Sequence, residues 1–363
     1  MMNRPASSFH FSCGRTRREF LWQAGNGFFG TAMAWMLARD GARAGGITPS
    51  AHFPARAKHC IFLFMVGGPS HIDTFDPKPV LNKRHGEDYD FKPAQGVSQK
   101  GKGKLMGSPF KFQACGQSGI EVSELFPHLR EHIDEMAVIR GTKGDSAAHG
   151  AASLQMNTGF VRQGLPCLGS WANYGLGSPN NNMPGFVVLV NGAPYSGAQN
   201  WGAGFMPSGY QGTVLKTSGT PVPNLVPAMN RSRETQRDQL DLLARWNSEH
   251  QARLPANSEL AARIEAYELA YRMQAHAPEA VDLSRESEST RKLYGIGGGD
   301  ADRFGKSCLM ARRLVERGTR FVQLYHSNWD THGDNDKRHQ KLCNQTDRPI
   351  AGLLADLKAR GLL

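Results

Sequence analysis

The 363-residue sequence lacks several features that would assign a function at once. Its apolar runs are short, the one from Ile61 to Val66 being only strand length, so no segment of the mature chain is predicted to cross a membrane. The absence of a C-x-x-C pair argues against a zinc ribbon, and the absence of a Gly-x-Ser-x-Gly elbow argues against a serine hydrolase. The glycine-rich stretch from Gly295 to Asp300 lacks the lysine of a P-loop.

The excess of basic residues is moderate. Lysine and arginine number 43 against 32 aspartate and glutamate, which gives a net charge of +11. The first 44 residues hold six arginines against two acidic residues, so the remainder carries +7. This charge favours polyanionic neighbours, but no recognition helix, zinc finger or aromatic RNA-binding pattern accompanies it, and nucleic acid is therefore not predicted as a partner.

The N-terminus has the ordered elements of an export signal. The pair Arg17-Arg18 stands directly before a Phe-Leu step, and a weakly apolar stretch from Ala24 to Leu37 follows. Ala42-Arg43-Ala44 supplies small residues at the spacing that a signal peptidase reads. We predict a twin-arginine signal over residues 1–44, recognised by the bacterial twin-arginine export machinery, and a periplasmic or secreted mature protein. The alternative is an amphipathic first helix whose arginines fall there by chance.

Apolar runs bounded by turn residues predict a parallel sheet. The run from Cys60 to Val66 is typical of a strand that helices cover on both faces. Further strands are predicted at 136–139, 186–190 and 320–325, and helices at 123–132, 147–157, 234–251, 258–274, 302–317 and 337–360. Because strands and helices alternate, we predict one α/β domain over residues 45–363, with a mainly parallel central sheet flanked by helices.

The C-terminus predicts a chain that is cut short. Gly361 suits the end of the last helix, and Leu362-Leu363 would begin another strand. A complete α/β domain seldom stops at the first residues of a strand, so we expect the sequence to be incomplete at this end.

The loop after the first predicted strand holds one candidate pair. Functional groups gather at the carboxyl ends of parallel strands, and His71 and Asp73 would point the same way from an extended segment there. They would suit a metal ion. The alternative is that Asp73 and Asp76 stabilise the turn into Pro77 by bonding nearby backbone amides.

The loop after the last predicted strand holds a richer set. Its nitrogen and oxygen donors alternate with small or apolar residues: His326, Asn328, Asp330, His332 and Asp334. In an extended segment they would line one side and suit a divalent cation such as zinc, calcium or manganese. The alternative is a polar loop whose Asp334 or Asp336 caps the next helix, with solvated histidines.

His149 is the third candidate. It stands at the predicted start of a helix, among small residues that would let a ligand approach. The unpaired amides of a helix start favour anions such as phosphate or sulfate. The alternative is a surface or capping histidine.

The twin-arginine start and five further stretches together resemble the exported, sulfatase-like family catalogued as domain of unknown function 1501. The stretches are Phe62–Pro79, Gly116–Pro127, Met156–Gly159, Ala311–Gly318 and Trp329–Gly333. The resemblance implies an alkaline phosphatase or sulfatase-like α/β core with one or two divalent metals, and hydrolysis of small-molecule or polysaccharide phosphate or sulfate esters. Combining this with the candidates found above, we predict that Asp330 and His332 ligate one metal, with His326 as a further candidate ligand, and that Asp73 and His71 serve a second. His149 is predicted to face the substrate anion as catalytic ligand or nucleophile.

The sequence departs from the superfamily pattern at three places. Gly67 stands where an Asp ligand normally ends the first strand, and His149 stands where a hydroxyl nucleophile is expected. The superfamily's later metal ligands would follow the strand beginning at Leu362. These departures leave a second hypothesis: a catalytically inactive relative that binds anionic polysaccharide or a surface partner through the basic segment 100–104.

Overall fold

Four parallel strands form the central sheet of the computed structural model, which describes residues 54, 56–90, 101–217, 219–222, 225, 232–253 and 258–363. The strands of the chain are β1 (Cys60–Met65), β2 (Asp88–Asp90), β3 (Lys102–Lys104), β4 (Phe112–Cys115), β5 (Ile120–Ser123), β6 (Phe186–Asn191), β7 (Thr213–Leu215) and β8 (Phe321–His326). The central sheet has the order β1-β8-β6-β7. The signal peptide predicted over residues 1–44 lies outside the described residues.

The α-helices of the described residues are α1 (Pro79–Lys83), α2 (His149–Thr158), α3 (Leu168–Leu176), α4 (Arg233–Arg253), α5 (Ser258–Val281), α6 (Glu288–Leu293), α7 (Asp302–Glu316) and α8 (Asn335–Ala359). Of these, α3 and α7 pack directly against β6 and β8. This confirms the predicted α/β class and the parallel central sheet. None of the helices in the described part of the chain combines the length and the apolarity that crossing a bilayer requires.

Two local predictions are wrong. The segment predicted as a helix over 123–132 begins inside β5, which pairs antiparallel with β4, and continues as a 3₁₀ helix over Leu129–Glu135. The segment 136–139, predicted as a strand, has no regular structure. Its short apolar pattern serves packing instead, since Met136 and Val138 lie against a cluster that contains Val122.

The strand order explains where the sheet is buried. All six residues of β8 are buried because β1 and β6 flank it, whereas all six residues of β1 are only half-buried. Both faces of β1 are nevertheless packed, since Leu63 lies against one core cluster and Phe62 and Phe64 lie against another. The prediction that the first strand is covered on both faces is therefore confirmed, with the partial exposure expected of an edge strand.

The main core lies between the sheet and α7. Leu309 and Leu314 of α7 are fully buried against Val322 and Leu324 of β8. Each such side chain contributes roughly 2 kcal/mol to stability. This packing holds β8 in place, and so fixes the start of the loop that follows it.

Candidate metal centre

Three loops leave the sheet at the same edge. Met65, His326 and Asn191, near the carboxyl ends of β1, β8 and β6, are aligned in the strand register. The loops after β1 and β8 then stay together, since the Val66 amide donates to the His326 carbonyl at 2.8 Å and the Trp329 amide donates to the Val66 carbonyl at 3.1 Å. Side chains from distant parts of the sequence therefore meet here.

Gly67 permits the close approach of these two loops. Its φ of +107° lies in the region that favours glycine, and a Cβ on it would stand 2.3 Å from the backbone nitrogen of Asp330. The glycine at this position therefore makes room for Asp330.

The loop after β8 is not extended as predicted. Asn328 and Asp334 have positive φ values of 77° and 47°, which turn the backbone away from strand geometry. Trp329 between them is 2% exposed and packs into the core. These turns separate the alternating residues, so that only part of the predicted set faces one point.

His149, Asp330 and His332 form the candidate site. His149 Nε2 lies 3.0 Å from Asp330 Oδ2, and His332 Nε2 lies 2.9 Å from Asp330 Oδ1. One ligand atom from each residue lies within 4.8 Å of the others. The structure thus brings His149, the first residue of α2, to two of the residues predicted from the β8 loop.

Tyr195 completes the cluster and was not predicted from the sequence. Its ring stacks on His149 at a centroid distance of 4.7 Å, and its hydroxyl donates to Asp330 Oδ2 at 3.2 Å. The neighbouring Ser196 adopts a left-handed conformation, and its hydroxyl donates to the Gly150 carbonyl at 3.1 Å. That bond ties the loop after β6 to the start of α2. The sequence feature that could have identified Tyr195 as a site residue is its position shortly after a predicted parallel strand.

The surroundings keep Asp330 ionised and Tyr195 protonated. Partial burial opposes the charge on Asp330, but hydrogen bonding to His332 and the charge of His149 hold the pKa of this carboxyl below its ordinary value. Burial and the charge of Asp330 raise the pKa of the Tyr195 phenol. The cluster therefore presents an anionic carboxylate with a neutral hydroxyl beside it.

His326 does not join the cluster. It is 6% exposed, accepts a hydrogen bond from the Trp329 indole at Nδ1 and lies 3.1 Å from Gln345 Oε1 through Nε2. Burial lowers its pKa to about 4, so the ring is neutral near pH 7. Both of its nitrogens are committed inside the protein, and here its role is to fix Trp329.

His71 and Asp73 are also kept apart from the cluster and from each other. A 3₁₀ turn replaces the extended backbone on which their pairing depended. His71 Nδ1 points to Asp76 at 3.0 Å, whereas the buried Asp73 accepts from the Ser70 hydroxyl at 2.6 Å. Asn335 Nδ2 reaches the same Asp73 oxygen at 3.4 Å. Asp73 therefore joins the β1 loop to the start of α8.

An open cleft of about 450 Å³ adjoins Asp330. Its lining residues are Val66, Ala193, Tyr195, Ser327, Asn328, Asp330, Arg338, Lys341, Leu342 and Gln345. Asp330 and Tyr195 are the residues of the cluster that border this cleft.

The fold and the cluster define an α/β protein whose parallel sheet carries two histidines and an aspartate at its carboxyl edge. The chain belongs to the family described as Protein of unknown function (DUF1501), whose sequence model matches residues 57–363. This confirms the family resemblance of the sequence. No curated protein and no solved structure matches the chain.

Proposed function

We propose that the protein is a divalent-metal-dependent hydrolase of phosphate or sulfate esters. The observation that carries the proposal is the convergence of His149, Asp330 and His332, three residues with metal-binding side chains, at the open edge of the sheet. They come from α2 and from the loop after β8, so only the folded chain assembles them.

The donor chemistry fits a borderline cation. Two imidazole nitrogens and one carboxylate are the protein ligands typical of catalytic zinc sites, which leave a further position open. Manganese is compatible with the same set, whereas calcium prefers an all-oxygen shell. A divalent cation bound by these residues would supply a Lewis acid that polarises the ester.

The chain's own residues would have three tasks. His149 would act as a metal ligand, because its Nε2 faces Asp330. The nucleophile that attacks the ester would then be a water molecule and not His149. Tyr195 would orient Asp330 through its hydroxyl and hold the ring of His149 by stacking. The ester would enter from the cleft beside Asp330.

The second hypothesis, an inactive binder using segment 100–104, has less support. Lys104 of this segment pairs with Asp88 at 3.0 Å and also donates to the Gly86 carbonyl at 3.1 Å. Part of the positive charge of segment 100–104 is therefore already neutralised by Asp88.

The test of the hydrolase is a paired metal and activity measurement. We expect the full-length protein to bind zinc or manganese and to turn over at least one member of a panel of aryl phosphate and sulfate esters. Asp330→Asn should abolish both properties, whereas Asp336→Asn, which removes an acid outside the cluster, should leave both intact. Failure to bind any divalent ion would overturn the proposal. Metal binding without turnover of any ester would favour the inactive binder.

We further propose export through residues 1–44, supported by the arginine pair and the small residues before position 45. Replacing Arg17 and Arg18 by lysine in the producing bacterium should retain the full-length protein in the cytoplasm, with cell fractionation as the readout. If the double variant were exported as well as the unaltered protein, the export proposal would be contradicted.

A further inference from the structure

Two basic side chains line the cleft beside the candidate metal centre. Arg338 and Lys341 stand three residues apart on α8, so they share one face of the helix. Both are exposed. The proposed metal centre gives Arg338 and Lys341 no role.

The positive charges of this pair are unmatched. Across the described ranges of the chain, no acidic group forms an ion pair with Arg338 or Lys341, whereas Arg312 of α7 and Arg360 beyond α8 are each ion-paired. The one acidic residue of the cleft is Asp330. Its two carboxylate oxygens already face His149, His332 and Tyr195.

Neutral polar groups accompany the two cations. Ser327, Asn328 and Gln345 line the same cleft, and the hydroxyl of Ser327 is buried without a hydrogen-bond partner among the described residues. Hydroxyl and amide donors next to unpaired cations are the components of an oxyanion site.

The cleft also has room beyond a single ester group. A smaller cavity of about 190 Å³ shares Ser327, Asn328 and Gln345 with it, and so adjoins it. That cavity reaches Arg303, which donates to Asn191 at 3.2 Å. Because Asp300 also lines that cavity, we expect the additional anionic group on the side of Arg338 and Lys341.

We propose that Arg338 and Lys341 form a second anion subsite, which binds a further negatively charged group of the substrate beside the ester that is hydrolysed. The substrate class is then an ester of a polyanionic molecule, with a carboxylate, sulfate or phosphate as the additional group. That the bound polyanion is a substrate rests on the proposed function, whereas the anion subsite itself does not.

A binding measurement tests the subsite without turnover. The probes are benzene-1,3-disulfonate and benzenesulfonate, which differ by one anionic group and cannot be hydrolysed as esters. We expect the full-length protein to bind the disulfonate more tightly by about fivefold, the size of a solvent-accessible ion pair. The preference should fall as sodium chloride rises.

The variants isolate the two side chains. Arg338→Gln with Lys341→Gln should remove the preference for the disulfonate. Lys337→Gln with Arg348→Gln, which removes two exposed charges from the same helix outside the cleft, should keep it. Circular dichroism and melting check the fold, and the single variants Arg338→Gln and Lys341→Gln should each lose part of the preference.

A kinetic measurement separates the subsite from the hydrolase. For 4-nitrophenyl phosphate carrying an additional ring carboxylate, the double variant should show a raised KM and a nearly unchanged kcat relative to the control variant. Loss of the binding preference without turnover of any ester supports the subsite and contradicts the hydrolase. If the double variant and its control show the same preference for the disulfonate over the monosulfonate, the subsite is overturned, whatever the hydrolytic activity.

Discussion

At the scale of single residues, the candidate centre depends on side chains that hold one another. Asp330 is contacted by His149, His332 and Tyr195, and His149 is in turn stacked by Tyr195. Such partners orient a ligand before any ion binds, so removing one of them weakens metal affinity without removing a ligand.

Tyr195→Phe is the sharpest test of this orientation. The variant keeps the ring on His149 but loses the hydrogen bond to Asp330, and we expect zinc affinity to fall by about tenfold. Isothermal titration measures the change. Tyr174→Phe, which alters an exposed tyrosine elsewhere, serves as the control. Equal affinities in the two variants would mean that the hydroxyl does not position Asp330.

His326 predicts a pH dependence of stability. Its pKa is about 4 in the folded protein because of burial, against about 6.5 in the unfolded chain. Below pH 6.5 the unfolded state therefore binds the additional proton, and stability falls towards pH 4 by up to about 3 kcal/mol from this group. Urea unfolding at pH 7, 5.5 and 4 should show the loss, and His326→Gln should flatten it. A loss of the same size in that variant would assign the effect to other groups.

At the scale of elements, the two turns that follow β1 and β8 must approach each other closely. Gly67 stands against the backbone of Asp330, whereas a Cβ on the adjacent Gly68 would meet no atom within 4 Å. Both glycines have positive φ values, so an alanine at either position strains the backbone by roughly 1 kcal/mol or more. Only at Gly67 would an alanine also displace a proposed metal ligand.

The pair Gly67→Ala and Gly68→Ala therefore separates strain from site geometry. Both variants should unfold at lower urea concentration, but only Gly67→Ala should lose zinc binding, by more than about tenfold. The measurements are urea unfolding and zinc titration on the same samples. If Gly68→Ala loses zinc binding equally, general loosening of the loop explains the effect.

The limits of sequence reasoning appear at this scale. The rule that functional groups gather at carboxyl strand ends directed attention to Asp330 and His332, which the structure brings together. The reversal at Asn328 and the inward turn of Trp329 depend on tertiary packing, so the exclusion of His326 was not predictable from alternation. Tyr195 was missed because its loop contains no repeated spacing.

At the scale of the whole molecule, the candidate centre joins segments that lie far apart in the chain. His149 precedes β6, whereas Asp330 follows β8, and the unfolded chain does not hold them together. A cation that binds His149, Asp330 and His332 together therefore binds the native state much better than the unfolded state. Metal binding and global stability are then coupled.

Zinc should consequently raise the resistance of the protein to unfolding. At a free zinc concentration of about one hundred times Kd, the expected gain is about 2.7 kcal/mol. Urea midpoints with and without zinc measure it. His149→Ala should remove the gain, whereas His250→Ala, in the exposed helix α4, should preserve it. A zinc effect that survives in His149→Ala would locate the ion elsewhere.

The strand order β1-β8-β6-β7 has a consequence for biosynthesis. On the ribosome, β1 emerges well before its sheet partner β8, because the whole segment between Met65 and Phe321 must be made first. The nascent chain thus carries an open, aggregation-prone edge until β8 has been made. We expect a chaperone to protect that edge until β8 inserts.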